Sequence, residues 1–126
     1  MGLEYFNLDE FKCKCGCTRH LSKMDGEFLI DLDLARGIAG IPFKITSGYR
    51  CPSYNLTIGG KPNSAHLKGR AADIYVRDGN HRFFILEALL QAGFRRIGIG
   101  PDFIHVDNDY ILPKPWVWDY YPKRGN

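Results

Sequence analysis

From Asp25 onward, Phe28, Leu29, Leu32, Ala35 and Ile38 recur at intervals of three and four, the period of a helix with one buried stripe. Asp25 supplies an N-cap oxygen, and Gly37, Gly40 and Pro42 mark the stop. Phe43 to Ser47 alternates apolar with polar and predicts a strand. Gly48 to Arg70 contains three further glycines and two prolines without any period, which predicts a long ordered loop, a kind of segment that is usually functional. Ala71 to Val76 predicts a second strand. Asn80 is expected to cap a second helix with the apolar face Phe83, Phe84, Leu86, Leu89 and Leu90, ended by Gly93. Arg96 to Gly100 and Phe103 to Asp107 predict two more strands. Strands and helices mixed without strict βαβ order point to an α+β fold, a mainly antiparallel sheet with flanking helices. The aromatic tail with Trp116, Trp118, Tyr120 and Tyr121 is expected to cover the sheet edge.

Composition narrows the function classes. A chain of 126 residues, 44% hydrophobic and 25% charged, buries enough surface for one core, so a single domain over residues 1–126 is expected and disorder is excluded. Lys and Arg number 17 against 14 Asp and Glu and are scattered, which leaves no footprint for nucleic acid. No apolar run approaches the ~18 residues that span a bilayer, and Met-Gly-Leu-Glu-Tyr-Phe at the start lacks the basic and apolar regions of a signal peptide. A cytoplasmic protein as synthesised, without membrane insertion, is the expectation.

Cys13, Cys15, Cys17 and Cys51 are too few for a disulfide framework. Structural zinc sites usually take cysteine pairs separated by two to four residues. The alternate spacing therefore favours buried thiols, or one disulfide to Cys51 in an oxidising space, over a four-cysteine zinc cluster.

The chemically loaded positions are His66, Asp73, His105 and Asp107. Asp73 interrupts an apolar strand, where an ionised carboxylate is costly unless paired or metal-bound. His105 and Asp107 alternate with Ile104 and Val106, so imidazole and carboxylate share one face while the aliphatic residues take the other. Two histidines and a carboxylate form a catalytic zinc set, although capping, salt bridges or buried histidines account for the same residues. His20 and His81 have no motif around them and read as solvated or capping residues.

The ordered blocks carry a resemblance. Ser47-Gly48-Tyr49-Arg50-Cys51-Pro52, Tyr54-Asn55, Gly59-Gly60, Asn63-Ser64-Ala65-His66, Gly69-Arg70-Ala71-Ala72-Asp73 and Ile104-His105-Val106-Asp107 resemble the zinc D-Ala-D-Ala carboxypeptidase family of peptidoglycan peptidases. Phe11-Lys12-Cys13 to Cys17 is similar to the start of its small phage-borne members. The resemblance implies an α+β fold shared with the amino-terminal domain of hedgehog signalling proteins, with Zn2+ on His66, Asp73 and His105. It also implies a monomer that cuts D-Ala-D-Ala or a related bond in peptidoglycan stem peptides by metal-activated water, reaching the wall after release or export by another route. The alternative is a zinc-bearing, non-catalytic wall-binding or structural protein.

Arg50 resembles the family arginine that binds substrate or stabilises the oxyanion, a role that suits its planar fork. Ser64 either donates to substrate or braces the loop. Gly59, Gly60 and Gly69 are expected where side chains would obstruct the backbone. For the general base, other branches of the family carry a carboxylate three residues before the last ligand, which is Asp102 here. Strand alternation turns Asp102 away from His105 unless Pro101 bends the chain. Asp107 lies on the correct face and completes the His-x-Asp of the small members. Asp102 is favoured as base, and Asp107 as the acceptor that orients a ligand imidazole.

Overall fold

A computed structural model of the chain describes residues 2–122. A short 3-10 helix, Leu8–Phe11, is followed by α1 (His20–Lys23) and α2 (Gly26–Ala39). Asp25 caps α2 by accepting from Phe28 N at 2.9 Å, as the pattern predicts. Strand β1 (Ile45–Ser47) leads into the long loop, which contains a short helix α3 (Pro52–Thr57) that the pattern did not reveal. Then come β2 (Ala71–Tyr75), α4 (Gly79–Gln91), β3 (Arg96–Ile99), β4 (Phe103–Asp107) and β5 (Trp116–Asp119).

The five strands form one sheet in the order β1-β2-β4-β3-β5, antiparallel except for the parallel pair β3 and β5. The expected α+β fold, a mainly antiparallel sheet with flanking helices, is thus the one observed. Strand alternation divides the chemistry. Ala72, Ile74, Ile97, Ile104 and Val106 join the core with Phe28, Leu29, Leu32 and Ala35 of α2 and Ile85, Ala88 and Leu89 of α4. The opposite face carries a cross-strand row that register fixes as Ser47, Asp73, His105, Gly98 and Trp118.

Three expectations change. Asp78, rather than Asn80, caps α4 by accepting from His81 N at 2.8 Å, because its carboxylate stands three residues before that amide. Phe83, Phe84 and Leu90 are exposed and Ile85, Ala88 and Leu89 are buried, so the buried stripe of α4 is turned relative to the expected face. The tail does more than cover the edge, since Trp116–Asp119 extends the sheet as β5.

Within the long loop, Gly69 N donates to His66 O, and Gly69 O accepts from Asp25 N at 2.9 Å. The same loop is tied to the start of α2 by an ion pair between Arg70 and Asp25 at 2.9 Å. No helix among the described residues is long and apolar enough to cross a membrane.

Candidate metal centre

His66 comes from the loop, Asp73 from β2 and His105 from β4. One ligand atom from each lies within 4.8 Å of the other two. Asp73 Oδ1 stands 2.9 Å from His105 Nδ1 and 3.4 Å from His66 Nε2. The remaining nitrogen of each ring is committed elsewhere. His66 Nδ1 donates to Gly48 O at 2.7 Å, which leaves Nε2 with its lone pair toward Asp73. His105 Nε2 donates to Asp107 Oδ2 at 2.7 Å. A backbone carbonyl on one histidine and a carboxylate on the other are the partners that fix tautomer and ring orientation in metal-binding histidines.

The electrostatics agree with a cation at the convergence point. Burial pushes the Asp73 carboxyl up, but the hydrogen bond from His105 and the two imidazoles beside it outweigh burial and hold it well below the usual carboxylate range. Burial holds the His66 imidazole below its usual value. Burial acts the same way on His105, yet the bonds to Asp107 and Asp73 prevail and raise its pKa. Asp73 faces His105 Nδ1 at 2.9 Å and Arg50 Nη2 at 3.9 Å, and its negative charge at the point where the ligand atoms converge suits a dication. The residues present therefore fit a divalent metal.

Asp107 is buried and fully engaged. Its Oδ1 accepts from Arg96 Nε at 2.7 Å and from Asp109 N at 3.1 Å, while Oδ2 holds His105. Arg96 also donates to Pro113 O and stacks 4.8 Å from the Trp118 ring centre. The sequence reading did not single out Arg96. The signal available was its position, opposite Asp107 in the β3–β4 register. Asp107→Asn should weaken metal binding ~10- to 100-fold, with excess metal restoring occupancy. Competition against a chelating dye measures this, and unchanged affinity would show that the bond to His105 is dispensable.

These groups line a cavity of about 760 Å³, a size suited to a short peptide. Arg50 lies on its wall, with Nε donating to Ser47 Oγ at 3.3 Å and Nη1 to Asn55 Oδ1 at 3.5 Å. Buried Asn55 also donates to Lys61 O at 3.0 Å, linking Arg50 to the loop. Ser64 braces that loop, its Oγ accepting from His66 N at 3.2 Å, and it also faces the cavity.

Asp102 stands elsewhere. It is exposed in the turn between β3 and β4 and is absent from the cavity wall, and its carbonyl accepts from Val76 N at 2.8 Å. Arg82 grips the carbonyls of Gly100, Pro101 and Phe103, holding the turn so that Asp102 does not follow His105. Asp119 of β5 does line the cavity, together with Trp118 and Tyr120. Nothing in the local sequence marked Asp119, because β5 reaches the site only through its pairing with β3. Neither other histidine joins the site. His20 is buried rather than solvated, its Nε2 bonded to Asp9 Oδ1 at 2.8 Å. His81 serves the start of α4, its Nδ1 accepting from Arg77 N.

The sequence matches the family described as Peptidase M15 over residues 4–107. The chain belongs to that family. This bears out the resemblance to the zinc D-Ala-D-Ala carboxypeptidases, and it identifies a metallopeptidase-type chain with candidate metal-binding residues. A comparison with curated proteins finds no match.

Proposed function

We propose that the protein is a zinc-dependent peptidase that hydrolyses D-Ala-D-Ala or a related bond in peptidoglycan stem peptides, with His66, Asp73 and His105 as ligands. One observation carries this reading. Both histidines have one ring nitrogen committed, to Gly48 O and to Asp107, while the other faces Asp73 in a cavity of peptide size. Two imidazoles and one carboxylate are a ligand set of catalytic zinc. When bound there, zinc polarises the scissile carbonyl and lowers the pKa of its water toward ~7.

The chain's own residues supply the rest. Arg50, steadied by Ser47 and Asn55, presents a planar fork to a substrate carboxylate or to the charge that develops on the carbonyl oxygen. Trp118 and Tyr120 form an apolar wall against which a stem peptide rests. Among the described residues, three carboxylates line the cavity, Asp73, Asp107 and Asp119. Asp73 and Asp107 are bonded to the histidines, which leaves Asp119 to take the proton of the attacking water. Its Oδ1 accepts from Tyr121 N at 3.1 Å, which orients the group.

Asp119→Asn should lower turnover ~10²- to 10⁴-fold at unchanged metal content, with Asp102→Asn close to wild type. The reverse pattern would return the role of base to Asp102. The function itself is tested by mass spectrometry of products from purified peptidoglycan and muropeptides, with zinc-loaded protein, after chelation and after zinc add-back. Cleavage that follows zinc supports the reading. Wall binding without any released peptide, by folded and zinc-loaded protein, would overturn it in favour of a non-catalytic wall-binding role.

A further inference from the structure

A second group of metal-ligating side chains lies outside the peptidase site. Cys13, Cys15 and Cys17 follow the 3-10 helix, and Cys51, more than thirty residues later, caps α3. All four are free, and their Sγ atoms lie within 4.8 Å of one another, Cys15 and Cys51 at 3.6 Å. Four sulfurs around one zinc at ~2.3 Å stand roughly 3.8 Å apart, so this spread matches a single cage. Backbone amides point at three of the sulfurs. Cys51 N donates to Cys13 Sγ at 3.4 Å, Cys17 N to Cys15 Sγ at 3.4 Å, and Tyr54 N to Cys51 Sγ at 3.5 Å. Donors aimed at sulfur favour the thiolate, the form that binds metal. Hydrophobic burial does not account for the group, since Cys13 and Cys51 are buried but Cys15 is exposed and Cys17 half-buried.

We propose that Cys13, Cys15, Cys17 and Cys51 form a second metal site, a structural Zn2+ held by four thiolates. Four protein ligands close the shell and leave no position for water, which separates this site in kind from the three-ligand peptidase centre. The alternate spacing argued against such a cage because structural zinc sites usually take cysteine pairs two to four residues apart, and the local fold removes that objection. Gly16 N donates to Cys13 O at 3.0 Å and curls the segment, so that its three sulfurs gather instead of spreading along a strand. The cage fastens the amino-terminal segment to the loop that serves the peptidase site. Tyr49 N donates to Phe11 O at 2.9 Å beside it, and Gly48, which holds His66, and Arg50 both lie within three residues of Cys51. Zinc binding here adds to folding free energy and stiffens the segment that presents Arg50.

The test uses the full chain, purified anaerobically with reductant and loaded with Zn2+ or Co2+. Wild type should hold two metals. The His66→Ala/His105→Ala variant should hold one and keep an intense sulfur-to-cobalt charge-transfer absorption. Cys15→Ser/Cys17→Ser should also hold one but lose that absorption and melt at a lower temperature. Bound zinc should slow the reaction of the four thiols with a thiol reagent in wild type, a readout that survives even if the cysteine variant fails to fold. A cobalt spectrum of wild type without the sulfur band, thiols equally reactive with and without metal, or an intact mass showing disulfides under reductant would each overturn the proposal. None of those outcomes touches the reading of His66, Asp73 and His105, whose metal is counted separately.

Discussion

Asp73→Asn is expected to fold, to lose the metal of the peptidase centre and to retain less than about a thousandth of wild-type turnover. The amide keeps the shape of the carboxylate but carries no charge to offset a dication, and Asp73 is the carboxylate that faces both His66 and His105. Metal catalysis of this kind contributes several kcal/mol to the transition state, and each ~1.4 kcal/mol is tenfold in rate, hence a loss of ~10³-fold or more. The substitution also takes the charge from the acceptor of His105 Nδ1 and removes the counter-ion of Arg50. Circular dichroism with elemental analysis under the conditions of the assay checks the outcome. Unchanged zinc affinity with an intact fold would make Asp73 a buried hydrogen-bonding residue and nothing more. Metal lost with turnover retained would detach the chemistry from the metal altogether.

Local signals made most of this molecule legible. The Asp25 cap and the three-four spacing after it place α2, because an N-cap oxygen and a buried stripe are both encoded within a few turns. Alternation in Phe103–Asp107 separates His105 and Asp107 from Ile104 and Val106, and the sheet preserves that division. The acidic residue in an apolar strand was informative for the same reason, since Asp73 is tolerated there only by its three cationic or imidazole neighbours.

The misses share a physical cause, which is dependence on distant pairing. β5 exists because it pairs in parallel with β3, and no pattern within Trp116–Asp119 announces a partner twenty residues earlier. Asp119 and Arg96 reach the cavity through that pairing and through the register with β4. In α4, adjacent Phe83 and Phe84 outweigh smaller residues in a count of apolar positions, yet the packing against α2 selects Ile85, Ala88 and Leu89. The four cysteines are the extreme case, as Cys51 is contributed from beyond two helices and a strand.

Gly69→Ala should be the most damaging single change outside the metal centre, with a stability loss of roughly 3 kcal/mol and a thermal midpoint lower by roughly 10 °C. Two effects add. Gly69 has φ +69°, and left-handed backbone costs an alanine about 1 kcal/mol. Its new Cβ would also meet Lys23 O, Lys23 C and Met24 Cα, all backbone atoms that cannot rotate aside. Relief requires α1 and the start of α2 to move away from the loop, which strains the bond from Asp25 N to Gly69 O. That loop connects His66 to Asp73, so metal affinity should fall together with stability. Gly59→Ala separates the two effects, because Gly59 has a similar φ of +74° but nothing within 4 Å of the new Cβ. It should lose only the conformational part, about 1 kcal/mol. Urea unfolding of the metal-free proteins measures both. Equal losses in the two variants would mean that the contact with Lys23 is relieved without cost, and that backbone conformation alone sets the requirement for glycine at position 69.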